Sequence, residues 1–333
     1  MLEEKVLKEL KTIAKHDDKI VIGVSGGPDS MCLLNILYKL KYNVVAVHVN
    51  HLIRKEAVED ECYVKDFCNN LNIPVYIKRI DITKKANNEK IGLEEAGRIA
   101  RYEFFEEVLI KENAQKIATA HNKNDFAETI IMNILRGSGI NGIKSIEKNR
   151  NNKYIKPLIT TERKEIENYC EENNLNPRID ATNSDNTYTR NKIRNIVIPY
   201  IKKEFNPNII QTLTRMSDIV SADLDYIENQ TKNIYSNILI IENSDNIILK
   251  LKDFNNLDLA IKRRIIIYSI EKLCNTKKGI EKIHIDDIIK LCSNNIGNKY
   301  LTPNKNVKVA IKNKQIYILK TNCRYDILEN IGG

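Results

Sequence analysis

The sequence predicts an α/β protein: a doubly wound, mainly parallel sheet followed by a smaller helical, α+β domain. Three observations carry that prediction. Across residues 2–205, short apolar runs of β character alternate with segments of helical period, the pattern of βαβ units. A glycine turn, Ser25-Gly26-Gly27-Pro28-Asp29-Ser30, joins the first such run to the first helix after it. Past Asn206 the alternation gives way to a long helical stretch and then to hairpin-like pairs. The domains are therefore expected at 1–205 and 206–333.

Taken in order, strands are expected near Ile20 to Val24, Val44 to Val49, Val75 to Ile80 and Lys116 to Ala120. Helices are expected near Met31 to Leu40, Glu56 to Leu71 and Leu93 to Lys111. Parallel strands need crossovers, so the helices should cover both faces of the sheet, and ligands should bind at the carboxyl ends of the strands. Asn149 to Lys153 reads as an exposed loop. In the second domain, Asn208 to Ile234 has apolar residues at helical spacing and reads as a long connecting helix. A hairpin (Ile238 to Leu251), helices near Leu257 to Leu273 and Ile283 to Leu291, and a second hairpin (Val307 to Leu319) follow.

The 333 residues carry 53 Lys and Arg against 44 Asp and Glu, a formal charge of +9. Such a balance favours polyanionic partners such as nucleic acid, although much of it is lysine in an Asn- and Ile-rich background. The N-terminus has no apolar signal core and no stretch approaches a membrane span, so a cytoplasmic protein without membrane contact is expected. Seven cysteines (Cys32, Cys62, Cys68, Cys170, Cys274, Cys292 and Cys323) include no Cys-x-x-Cys pair. They read as buried packing thiols in a reducing compartment.

The chemistry concentrates at strand ends. In Ser25-Gly26-Gly27-Pro28-Asp29-Ser30 two glycines let the backbone approach a phosphate, and the free N–H groups of the helix that follows favour an anion. Ser25 and Ser30 add hydroxyl donors. Asp29 would repel a polyphosphate unless a divalent cation lay between them, which makes it a candidate Mg²⁺ ligand; otherwise Pro-Asp-Ser is only a first-turn signal. No Lys-Ser or Lys-Thr follows, so the loop is not a Walker A motif, and the third glycine of the dinucleotide fingerprint is missing.

The second strand ends in His48-Val49-Asn50-His51-Leu52-Ile53-Arg54. Alternation puts His48 and Asn50 on one face at the nucleotide edge and leaves His51 and Arg54 on the loop. Arg98 and Arg101 lie three apart on a helix and can meet one anion; with Glu94 and Glu95 they could equally form a solvated ion-paired face. After the fourth strand, Asp125 and Glu128 share one side of a helix near its N-terminus, suited to Mg²⁺, to a cationic amine or to simple charge compensation. His121 precedes them and Arg136 begins a basic glycine loop. Arg190 and Arg194 share a helical face suited to phosphate, after the polar run Asp180-Ala181-Thr182-Asn183.

The SGGPDS loop resembles the pyrophosphate loop of the N-type ATP pyrophosphatases, whose fold is that of the adenine nucleotide alpha hydrolases. With HVNHLIR, GLEEAGRIARYEFF, ATAHNKNDFAETIIMNILRGSGINGI and DATNSDNTYTRNKIR in the same order, the chain resembles the tRNA(Ile)-lysidine synthase family over most of residues 20–200. That resemblance implies ligation of free L-lysine to C2 of the wobble cytidine of a CAU-anticodon tRNA(Ile), driven by cleavage of ATP to AMP and pyrophosphate with Mg²⁺. It implies residues 25–30 as the pyrophosphate cradle and Asp29 as the metal ligand. Arg101, with Arg98, would stabilise the α-phosphate or substrate charge. Asp125 and Glu128 would position lysine, His121 would be a second candidate base, and Arg136, Arg190 and Arg194 would meet the tRNA. A homodimer stays open.

Two departures stand out. The family usually has Arg-Pro-Leu where this chain has Lys156-Pro157-Leu158, and many members carry a further C-terminal domain beyond the point corresponding to Ile331-Gly332-Gly333. The competing readings are a tRNA thiolase or an amidating ligase with the same loop, or a non-catalytic nucleotide- or tRNA-binding protein. The absence of Cys-x-x-Cys pairs weighs against the thiolase.

Overall fold

The computed structural model describes residues 1–53, 56–144, 148–178, 186–187, 189–276, 278–294 and 300–321. Arg54, the run Asp180 to Asn183 and Cys323 lie outside them. The chain divides into two compact units, Met1–Val220 and Ser221–Gly333.

The first unit runs α1 (Leu2–Ile13), β1 (Lys19–Gly23), α2 (Pro28–Lys39), β2 (Asn43–Asn50), α3 (Ala57–Asn70), β3 (Val75–Arg79), α4 (Ile82–Glu89), α5 (Leu93–Lys111), β4 (Lys116–Ala118) and α6 (Lys123–Leu135). It continues with α7 (Asn141–Lys144), β5 (Asn149–Arg150), β6 (Tyr154–Ile155), α8 (Arg163–Glu172), α9 (Thr189–Lys192), a π-helical turn (Ile193–Val197), α10 (Ile198–Glu204) and the start of α11 (Ile209–Ile238). The sheet order is β3-β2-β1-β4-β6-β5. All pairs are parallel except β5 with β6. Strand order therefore reverses between β1 and β4, and the crevice beyond their carboxyl ends is where a doubly wound sheet binds ligands.

Both faces of the sheet are covered, as parallel pairing requires. On one, Ile20, Ile22, Val44 and Ala46 pack with Leu10, Leu33, Leu37, Val64 and Ile166 from α1, α2, α3 and α8. On the other, Val21, Val45 and Val47 pack with Phe104, Phe105 and Val108 of α5. The apolar continuity of Ile20 to Ile22 follows from burial on both sides. A third cluster joins Phe126, Ala127 and Ile130 of α6 to Ile193, Ile198, Ile210 and Leu213.

Of Asn149 to Lys153, expected as an exposed loop, residues 151–153 are the turn, while Asn149 and Arg150 form a short strand whose partners are Ile155 and Tyr154, antiparallel. The turn residues Asn151 and Asn152 take φ of 55° and 53°, the left-handed region that asparagine tolerates. The π-helical turn stands before Pro199, which has no N–H to continue the ordinary ladder; Ile198 donates to Ile193 O instead.

In the second unit β7 (Leu239–Glu242), β8 (Asn246–Lys250), β9 (Tyr300–Asn304), β10 (Val307–Lys312) and β11 (Gln315–Lys320) form an antiparallel sheet ordered β7-β8-β11-β10-β9. Alternate residues, Ile247, Leu249, Val309, Ile311, Ile316 and Ile318, pack with Ile265, Ile270 and Ile288 from α13 (Leu259–Cys274) and α14 (Lys282–Asn294), and with Phe254 of α12 (Leu251–Asn255). Among the described cysteines, Cys32, Cys68, Cys170 and Cys292 are buried as expected; Cys62 is exposed, on the outer side of α3.

Candidate active site

The loop after β1 is shaped by its own short side chains. Gly26 has φ +89°, a conformation that costs an L-residue strain and glycine nothing. Gly27 caps α2 and Pro28 opens it, where a missing N–H is harmless. Ser30 is buried; its Oγ donates to Gly27 O (3.0 Å) and accepts from Ser25 N–H (3.1 Å), so the two serines brace the turn. From outside, Arg178 N–H donates to Gly26 O at 2.9 Å, while the Arg178 guanidinium pairs with Glu59 and with Asp60 (3.4 Å) on α3.

Across the crevice, α6 begins at Asn122, which is 1% exposed. Its Oδ1 accepts from Asn124 N–H (2.9 Å) and Asp125 N–H (3.0 Å), and Asp125 Oδ2 accepts from Asn122 N–H (3.1 Å), a reciprocal capping box. The other end of the same amide, Nδ2, donates to Asp29 Oδ1 at 2.9 Å. One side chain thus ties the phosphate loop to the helix that carries Asp125 and Glu128. Burial, and next the nearby Asp125 carboxylate, push the Asp29 carboxyl up to about 6, against Arg163, Asn122 and Arg194.

Asp125 and Glu128 are brought together as expected, and so are Arg190 and Arg194, but with one another. Arg190 reaches Asp125 Oδ1 (3.0 Å) and Glu128 Oε2 (2.9 Å); Arg194 reaches Asp125 Oδ1 (3.0 Å) and Glu128 Oε1 (2.6 Å). The Glu128 side chain is 1% exposed, so its charge depends on those two guanidiniums. The spacing of Arg190 and Arg194, read from the sequence as suited to phosphate, in the folded chain suits this carboxylate pair.

His48 and Asn50, expected at the nucleotide, face inward. His48 Nδ1–H donates to Val24 O at 2.8 Å, and burial lowers its pKa. Asn50 is 1% exposed; its Nδ2 donates to Ala57 O and Glu61 Oε2, and its Oδ1 accepts from Leu52 N–H. Asn50 thus holds the loop after β2 in place, its amide engaged within the protein, while His48 ties β2 to the start of the phosphate loop at Val24.

His51 packs on Gly97, where an added Cβ would lie 3.4 Å from its ring, and its buried Nδ1 has no partner among the described residues. Burial and then Arg101 hold it down at about 4. His121, with Nδ1 2.9 Å from Thr119 Oγ1, is likewise held at about 4 by burial; Asp125 opposes, and Arg190, Lys156 and Arg101 reinforce it. Both imidazoles are neutral at physiological pH. Arg101 makes no ion pair among the described residues and is open to solvent, and the protein packed around it lowers its pKa. Arg98 is exposed over the Tyr102 ring at 5.6 Å, and Arg136 is exposed at the end of α6.

Sequence reasoning missed Asn122, Arg163 and Arg178. Asn122 had a local signal, an N-cap residue with an acid three positions on; Arg163 opens α8 within the field of Asp29. Arg178 had none.

A loop of this shape at the switch point of a doubly wound sheet defines a PP-loop protein, and a PP-loop domain model matches residues 2–201. A U34-tRNA thiolase from Methanococcus maripaludis, solved with its [4Fe-4S] cluster, shares the fold with a TM-score of 0.53 at 19% identity, over 66% of this chain and 80% of its own. The tRNA(Ile)-lysidine synthase of Clostridium acetobutylicum is 48% identical over 301 residues, which are 89% of this chain and 65% of that protein. That of Clostridioides difficile is 43% identical over 321 residues, 93% of this chain and 70% of its own length. This chain belongs to the tRNA(Ile)-lysidine synthase family and spans about two thirds of the length of these relatives.

Proposed function

We propose that this chain converts the wobble cytidine of a CAU-anticodon tRNA(Ile) to lysidine, using ATP and free L-lysine. The cytidine C2 oxygen attacks the α-phosphorus and pyrophosphate departs. The ε-amine of lysine then attacks C2, AMP leaves with the oxygen, and the amine gives up a proton. A urea-like carbonyl is a poor electrophile, and adenylylation supplies the leaving group. A tRNA substrate puts the reaction in the cytoplasm; among the described residues no helix is long and apolar enough to cross a membrane.

The observation that carries the reading is the Asn122 bridge, which fixes the phosphate loop and the Asp125–Glu128 helix as one unit at the sheet's switch point. Chemistry at phosphorus and chemistry at the amine then share one rigid frame. Residues 25–30 cradle the departing pyrophosphate through backbone N–H groups.

Asp29 would hold Mg²⁺ together with the nucleotide's phosphates. Its carboxylate is an oxygen donor of the kind Mg²⁺ takes, alongside phosphate oxygens and water. Burial, and then Asp125, raise the pKa of Asp29, and a cation beside its carboxylate would oppose both. When bound, the ion neutralises charge on the leaving pyrophosphate.

Arg101, with Arg98, is the exposed cation for the α-phosphate. Asp125 meets the lysine amine, and buried Glu128 with Arg190 and Arg194 forms the ion-paired scaffold that holds it. His121, neutral at working pH, orients the attacking amine through a hydrogen bond, and Arg136 meets the RNA backbone.

The test is incubation of the protein with ATP, Mg²⁺, radiolabelled lysine and CAU-anticodon tRNA(Ile). Label should enter the tRNA, and replacing the wobble cytidine by uridine should abolish it. ATP cleavage with no lysine incorporation, but with transfer of sulfur or ammonia, would overturn the reading in favour of another PP-loop enzyme.

A further inference from the structure

The stretch from Thr189 to Phe205 has two faces with opposite characters. Inward, Arg190 and Arg194 meet the site carboxylates, and Ile193 and Ile198 join the apolar cluster on α6. Outward, Ile196 is 53% exposed, Tyr200 59% and Phe205 74%. Phe205 is one of six phenylalanines; four of the others are buried and Phe67 is half-buried, so its exposure is not the habit of this chain. The Tyr200 and Phe205 rings meet edge-on at 5.9 Å, which holds both presented to solvent.

The surroundings are cationic. Lys192 and Lys202 have no ion-pair partner among the described residues, and Lys203 pairs only with its exposed neighbour Glu204 (3.0 Å). Exposed aromatic rings interleaved with lysines, two of them without an ion-pair partner among the described residues, suit unpaired nucleotides, whose bases stack while their phosphates meet ammonium groups. An apolar protein partner would find the lysines a desolvation cost. Arg194 and Tyr200 are six residues apart, about 9 Å along a helix, so a chain with one base in the site lies within reach of this face.

We propose that Ile196, Tyr200 and Phe205, with Lys192, Lys202 and Lys203, form a stacking platform for unpaired nucleotides of the tRNA anticodon loop next to the base being modified. This rests on the function proposed above.

The chain contains no tryptophan, so Phe205→Trp places a single indole on the platform. Titrating that variant with an anticodon stem-loop RNA carrying CAU should quench the indole saturably, at the dissociation constant found by filter binding. A blunt RNA duplex of the same length should not. Phe205→Ala should weaken stem-loop binding roughly ten-fold, and Phe205→Leu nearly as much, because stacking needs a π face. Thermal unfolding reports whether each variant is folded, and the indole signal decides the matter if the alanine variant is not.

Stem-loop binding that leaves the indole unchanged overturns the platform alone. An indole response that depends on protein concentration without RNA identifies a second copy of the chain as the occupant and also overturns it. Unimpaired binding by Phe205→Leu reduces the face to an apolar contact and does the same. A parent protein that binds no tRNA overturns both the platform and the proposed function.

Discussion

Asp29 is under strain that its ligand would relieve. Its carboxyl keeps its proton to about pH 6 in the folded chain, against about 3.9 in an unfolded one. Between those values the folded state binds the extra proton, so stability falls as pH rises through the window, and above it the ionised group is a full cost. Asp29→Asn should therefore stabilise the ligand-free protein by roughly 1–3 kcal/mol at about pH 7.5, while the two proteins converge near pH 4. Urea unfolding at the two pH values checks this; an equal difference at both would point away from ionisation. The same variant should lose pyrophosphate release. Asp125→Asn should raise the lysine concentration needed for half-maximal rate far more than the ATP concentration, and steady-state kinetics with each substrate varied would expose an unchanged lysine dependence.

At the scale of elements, two helix starts and a π-helical turn make the site. Asn122→Ala should cost about 1 kcal/mol as a lost N-cap. Because the same side chain holds Asp29, ATP binding should weaken as well, a loss that an ordinary cap mutation would not produce. Arg194→Ala leaves the buried Glu128 with one guanidinium instead of two and should destabilise the protein by about 3 kcal/mol. Adding Glu128→Gln should recover much of that loss in a double-mutant cycle, since the cost lies in an uncompensated charge. Pro199 gives the Arg194 segment its π-helical register, and Pro199→Ala would let an ordinary ladder form and rotate Arg194 relative to Arg190.

For the whole molecule, an excess of nine positive charges suits the proposed polyanionic substrate, and its effect would be on affinity and its salt dependence. Arg136→Ala should lower tRNA affinity across sequences and reduce the slope of log affinity against log salt by about 1. Filter binding at several salt concentrations reads both, and an unchanged slope would remove Arg136 from the RNA contacts. The alternation of apolar runs and helical periods was enough to foresee four strands, the helices between them, the long helix and both hairpins of the second unit, because those signals are local. The glycine turn was legible for the same reason: a strand, two glycines and a helix start are adjacent in the chain. The short strand at Asn149 and Arg150 was not, since two residues leave almost no periodicity to read. Nor could spacing tell that Arg190 and Arg194 meet carboxylates more than sixty positions away, or that Asn50 turns inward. Those outcomes depend on which partner lies opposite once the sheet closes. By itself, then, the sequence determined the fold class, the phosphate loop and the candidate charges; the tertiary structure alone decided how those charges pair, through Asn122 and the two arginines, because pairing is set by proximity across the switch point and not by separation along the chain.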